Sequence, residues 1–140
     1  MELIKTMYGD FNYDLKDIIK FNKGIPAFEE YKEYLLLKLD IEGFELLQSI
    51  DNNQVGFVVT SPFDIEDNYE IKLTEEIINN LQIQEPNEVK LVSLVTINSS
   101  VENMTVNLKA PVVINTNTKL GEQLITDKTK YKIKHPLIKR

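Results

Sequence analysis

The chain has 140 residues, a formal net charge of −6, 42% hydrophobic and 27% charged residues, no cysteine and one histidine, His135. That length and composition fit one folded domain, residues 1–140, with its own core. They exclude disulfides, thiolate metal sites and multi-histidine centres, and the acidic balance argues against broad nucleic-acid affinity, which needs basic residues to displace counterions.

In chain order, the first predicted element is a single helical turn over 26–31, preceded by Gly24, which reads as a turn glycine with positive φ. Residues 44–50 and 55–60 predict two strands, the second a dense β-branched and aromatic run. Asp51-Asn52-Asn53 between them predicts a hairpin connection. Ser61-Pro62 ends the second strand. Thr74 predicts the N-cap of a helix over 74–83. Glu75 and Glu76 sit in its first turn, Ile77, Ile78 and Leu81 share a face, and Pro86 lies beyond its end. Val89 to Ile97 is the best strand signal in the chain. Residues 107–108 and 111–115 predict an extended pair, with Pro111 at an edge, a bulge or a strand start because it cannot donate to a ladder. Lys130, Lys132 and Lys134 alternate with Tyr131 and Ile133, a strand pattern with a basic outer face. Short strands separated by turns, with one or two short helices, predict a mainly β fold, a small β-barrel or β-roll.

Charge is uneven along the chain. Residues 1–86 carry 7 basic and 18 acidic groups, net −11, and residues 87–140 carry 9 basic and 4 acidic groups, net +5. Such asymmetry suits steering toward a charged partner. Residues 1–5 lack the apolar stretch of a secretory signal and no run approaches the ~20 residues that span a bilayer. The expected location is the cytoplasm, with no membrane contact.

The chain offers little to catalysis. His135 stands alone in Lys134-His135-Pro136, and no nucleophile elbow precedes it. The five glycines are too far apart for a phosphate-binding loop. The cluster Asp64, Glu66, Asp67, Asn68, Glu70 and Glu75 matches several EF-hand ligand positions, but Tyr69 stands where the loop needs glycine. No catalytic residue, metal site or cofactor is expected. The basic strip from Lys128 to Arg140 reads either as an RNA-touching surface or as an edge guarded by lysines against pairing.

Four blocks in family order resemble the flagellar assembly factor FliW family. They are Phe21-Asn22-Lys23-Gly24-Ile25-Pro26-Ala27-Phe28-Glu29; Leu47-Gln48-Ser49-Ile50-Asp51 with Gly56-Phe57-Val58-Val59-Thr60-Ser61-Pro62; Val95-Thr96-Ile97 with Met104 through Asn115; and Tyr131-Lys132-Ile133-Lys134-His135-Pro136-Leu137. The most specific is Asn107-Leu108-Lys109-Ala110-Pro111-Val112-Val113-Ile114-Asn115. One departure is Ala27, where many relatives have glycine. Alanine disfavours positive φ, so a locally different turn is expected there.

The resemblance implies a regulator and not an enzyme, on a small all-β barrel-like fold. FliW-like proteins bind the RNA-binding translational repressor CsrA and keep it off the leader of flagellin messenger RNA. Newly made flagellin takes them away and frees CsrA. In that frame the acidic residues Asp64, Glu66, Asp67 and Glu70 are expected to face CsrA. Asp51, Asn52, Asn53 and Phe57 are expected to bind flagellin. Gly24, Pro26, Phe28, Asn107, Pro111, Asn115 and His135 are expected to be structural. The free protein is expected to be a monomer or weak oligomer without direct nucleic-acid binding. Two alternatives are a flagellin-specific chaperone without CsrA antagonism and a small RNA-binding module using the basic C-terminal strip.

Overall fold

The computed structural model describes residues 1–125 and 130–138. Lys128, Thr129, Lys139 and Arg140 of the basic strip lie outside the described residues.

The chain opens with a hairpin, β1 (Glu2–Thr6) and β2 (Gly9–Tyr13), paired in register from Glu2–Tyr13 to Thr6–Gly9. The following strands are β3 (Ile19–Lys20), β4 (Glu33–Lys38), β5 (Phe44–Ser49) and β6 (Gly56–Thr60). Two short helices, α1 (Pro62–Ile65) and α2 (Glu75–Asn80), lead to β7 (Val89–Thr96), β8 (Thr105–Val106), β9 (Val112–Asn115), β10 (Leu120–Gln123) and β11 (His135–Pro136). Strands β7-β6-β5-β4-β3-β10-β9 pair in that order, and β9 returns to β7 through Val89–Asn115 to Val92–Val112. The result is a closed seven-stranded barrel, which removes most exposed sheet edges. β8 and β11 extend one flank beside β7.

Alternation along each strand sends one set of side chains inward. Ile19, Phe21, Tyr34, Leu47, Val59, Val92, Val112 and Ile114 form the barrel core. Gly121 is required there: a Cβ would come within 2.6 Å of the Phe21 ring. The opposite faces are also covered. Leu35, Leu37 and Leu46 pack under the β1–β2 hairpin against Ile4, Phe11 and Tyr13. Val113 packs against Ile77 and Leu81 of the α2 region and Leu124. Burying Ile77 and Leu81 contributes roughly 1.5–3 kcal/mol each.

The hairpin of β5 and β6, the long β7 and the N-cap of α2 stand where the sequence places them. The Thr74 hydroxyl accepts from Ile77 N–H at 3.1 Å. Other elements differ. Residues 26–31 form two successive turns, Phe28 N–H to Ile25 C=O at 2.7 Å and Tyr31 N–H to Phe28 C=O at 3.0 Å, instead of a helical turn. α2 stops at Asn80, because Gln82 takes φ +56 and the Ile83 and Gln82 N–H groups cap the carbonyls of Ile78 and Asn79. The strand expected at 107–108 is at 105–106. Asn107 instead turns the chain, its side-chain oxygen accepting from Lys109 and Ala110 N–H at 3.1 and 3.0 Å. Pro111 directly precedes β9. The strand expected around 130–134 does not form: those residues are turns and irregular chain with Tyr131 buried in their midst, and β11 follows them at His135–Pro136.

Gly24 has φ +69, and a Cβ there would meet the Glu29 backbone at 2.5 Å. Ala27 also has positive φ, +75. The replacement at 27 has therefore not moved the turn out of the left-handed region. Alanine occupies it under strain, with its N–H held by the Glu29 carboxylate at 3.1 Å.

Candidate protein-interaction site

The acidic segment begins where β6 ends. Ser61-Pro62 redirects the chain, because Pro62 has no N–H for a ladder and favours the first turn of a helix, here α1. The segment after α1 is tied down by two tyrosines. Tyr69 is buried and its hydroxyl donates to Leu108 C=O at 2.8 Å. Its ring lies 4.6 Å from that of buried Tyr131, whose hydroxyl accepts from Glu70 N–H at 2.7 Å. Burial pushes the Tyr69 phenol well above its ordinary pKa, with the neighbouring Tyr131 adding to the shift. Val58, Val95, Val106 and Leu108 complete this satellite core.

Asp64, Asp67 and Glu70 are exposed on this anchored segment, and Glu66 is half-buried. The same anchor brings the C-terminal segment alongside, with Lys130 and Lys132 exposed on either side of Tyr131. The net −11 and net +5 halves of the sequence are thus interleaved, with exposed lysines beside the 64–70 segment. Among the described residues, no three acidic or imidazole groups gather as a metal site.

The second predicted surface lies at the other end of β6. Buried Gln48 donates from its amide to Ser49 and Val55 carbonyls, both at 3.1 Å. The Ser49 hydroxyl accepts from Asp51 and Asn52 N–H, both at 3.2 Å. Asn52 is half-buried, donating to the Tyr31 hydroxyl at 3.0 Å and accepting from Gln54 N–H at 3.0 Å. Phe57 points inward, edge-on to half-buried Phe28 at 5.3 Å. Asp51 and Asn53 are exposed at the tip. Of the four residues predicted here, two form a rigid exposed tip and two belong to its support.

The residues read as structural are spread over the barrel. Asn115 is fully buried. Its amide donates to Leu81 and Gln82 carbonyls at 2.8 and 3.3 Å, and its oxygen accepts from Asn117 and Thr118 N–H at 2.9 and 3.2 Å. Pro26 is exposed, and half-buried His135 pairs with Val106 across β11 and β8. No local sequence pattern marks Tyr69 and Tyr131 as the residues that hold the acidic segment. The only signal is a tyrosine in each of two polar stretches.

The FliW protein family model matches residues 2–137. The chain belongs to the FliW family. It is 48% identical over 139 residues to the flagellar assembly factor FliW of Clostridium beijerinckii, covering 99% of each chain. It is likewise 48% identical over 140 residues to the protein of that name from Clostridium novyi, covering 99% of this chain and 98% of that one. A solved crystal structure of the flagellar assembly factor FliW is 39% identical and superimposes with a TM-score of 0.92, covering 99% of both chains. The closed barrel with two short helices is therefore the architecture of a family member solved by crystallography. No helix among the described residues is long and apolar enough to cross a membrane.

Proposed function

We propose that this protein is a cytoplasmic flagellar assembly factor that regulates by exchanging protein partners and does no catalysis. It binds the translational repressor CsrA, prevents CsrA from occupying flagellin messenger RNA, and is removed by newly made flagellin. The observation that carries the reading is the family membership over residues 2–137, with the acidic 64–70 segment held rigidly outward by Tyr69 and Tyr131. An RNA-binding repressor presents a basic surface. Carboxylates docked beside it disfavour phosphate by like-charge repulsion. The tip at Asp51 and Asn53 is the flagellin contact. It and the acidic segment stand at opposite ends of β6, a five-residue strand spanning about 17 Å. That distance is shorter than a folded protein is wide, so the two partners exclude each other by bulk without sharing contacts.

The test mixes the protein with CsrA and flagellin, in pairs and together, by size-exclusion chromatography, and follows CsrA on its RNA by mobility shift. Binary complexes with each partner, no ternary complex, and loss of the CsrA–RNA shift on adding this protein are expected. Reversing Asp64, Glu66, Asp67 and Glu70 to lysine slows association with CsrA and lessens its salt dependence. An unchanged association rate overturns the acidic-face mechanism. Flagellin binding without any effect on CsrA–RNA indicates the chaperone alternative, and an RNA shift by this protein alone indicates the RNA-binding one.

A further inference from the structure

The barrel wall has a gap. β6 pairs with β7 only through Val59–Leu94 and Thr60–Ser93, then leaves the wall at Pro62. β7 continues back to Val89, paired on its other side with β9 from Val89 to Val92. Opposite residues 89–92 no described strand completes the ladder on the β6 side.

The phase of the ladder tells which groups face the gap. Thr116 N–H donates to Glu88 C=O at 2.8 Å, so Glu88, Lys90 and Val92 address β9 and alternate residues Val89 and Leu91 address the gap. Val89 N–H is taken by Pro86 C=O. Among the described residues no backbone group pairs with the Val89 carbonyl or with the Leu91 N–H and carbonyl, the pattern that receives an added strand, although α1 packs against β7 beside them.

A groove of about 550 Å³ runs along this edge, between β7 and the turn from β4 to β5. Ile41 and Phe63 flank it with 64% and 50% of their surface exposed. Phe63 is held edge-on to Tyr69 at 5.6 Å, so it is a fixed wall. The Lys90–Glu45 ion pair, 2.9 Å, crosses below from β7 to β5. Glu42 and Asp64 add two carboxylates to the lining, against one further lysine, Lys38.

We infer that this groove takes an extended peptide segment of a partner protein, which adds as a strand to the Val89–Val92 edge of β7. Its apolar side chains at alternate positions pack on Ile41 and Phe63, and a lysine or arginine meets Glu42 and Asp64. Backbone pairing supplies affinity and the side-chain walls supply selectivity.

The test screens a phage-displayed library of random short peptides against the whole protein, then maps the selected synthetic peptides by NMR. Selected sequences are expected to alternate apolar residues and carry a basic one. On binding, the Leu91 amide shifts and becomes protected from hydrogen exchange. Because Ile41 and Phe63 are exposed, Ile41→Asp with Phe63→Asp leaves the fold intact, checked by thermal melt, and weakens binding at least tenfold. N-methylating the peptide at its ladder positions does the same. No enrichment, selected peptides that bind equally to the double variant, an unprotected Leu91 amide, or occupation of the groove by a second copy of the chain in sedimentation would each overturn it.

Discussion

Asn115 joins three elements through one side chain. It stands at the end of β9, holds the turn into β10 through Asn117 and Thr118 N–H, and holds the end of α2 through the carbonyls of Leu81 and Gln82. The Leu81 carbonyl also accepts from the Thr118 hydroxyl at 3.0 Å, so it keeps one partner when Asn115 is removed. Two of the four Asn115 bonds are short and two are long. At about 1 kcal/mol for each short bond and half that for each long one, Asn115→Ala costs about 3 kcal/mol. For a domain of this size that lowers Tm by about 10 °C. Asn115→Asp separates hydrogen bonding from packing. It keeps the accepting oxygen but sets a second oxygen against two carbonyls, which disfavours the carboxylate and raises its native pKa above the unfolded value of about 3.9. A raised native pKa gives stability that is present below the unfolded value and lost as pH rises. The penalty of Asn115→Asp relative to the parent therefore grows from pH 4, near the unfolded value, to pH 7.5, whereas that of Asn115→Ala stays flat. Urea unfolding at both pH values measures this. A cost below about 1 kcal/mol for alanine, or a pH-independent penalty for aspartate, refutes the reasoning.

Three further outcomes follow from local chemistry. Ala27→Gly relieves the left-handed strain at φ +75 and raises stability by about 0.5–1 kcal/mol net of the glycine's unfolded-state entropy, read as a higher urea midpoint. Glu88 accepts from Gln84 and Glu85 N–H at 2.7 and 2.8 Å and from the Asn117 amide at 2.8 Å, which together hold its carboxyl below the usual range. Its contribution is present above the unfolded carboxylate pKa and disappears as pH falls, so the parent and Glu88→Gln converge in thermal melts between pH 7 and pH 3.5. Tyr34 is fully buried, its hydroxyl finds no hydrogen-bond partner among the described residues, and burial pushes its pKa up to about 12. Tyr34→Phe is neutral or stabilising at pH 7, and it removes the part of the stability loss that begins near pH 10, where the unfolded phenol ionises first.

Where one face of a strand meets polar surroundings, alternation betrays it, and β5, β6 and β7 are legible for that reason. β4 is not. Tyr34-Leu35-Leu36-Leu37 reads only as an apolar run, because Tyr34 and Leu36 face the barrel core while Leu35 and Leu37 lie under the β1–β2 hairpin. A strand covered on both faces loses its period of two. β3, β8 and β11 have two residues each, too few to show any period. The candidate site was legible as chemistry and not as placement. Asp64, Asp67 and Glu70 are visible as acidic residues, but no local pattern says that Tyr69 and Tyr131, 62 positions apart, stack to hold them.

The sequence by itself determined the β character, the β5–β6 hairpin, the Thr74 cap, the left-handed turn at Gly24 and the family. Each depends on residues that are neighbours in the chain, or on a motif read along it. Only the tertiary structure decided that β9 closes on β7, that Phe57 points inward, that the acidic and basic halves interleave, and that β6 leaves the wall early enough to bare the edge of β7. Those features are set by pairings between residues far apart in sequence. Their energies come from burial and ladder completion across the whole barrel, which no window of sequence contains.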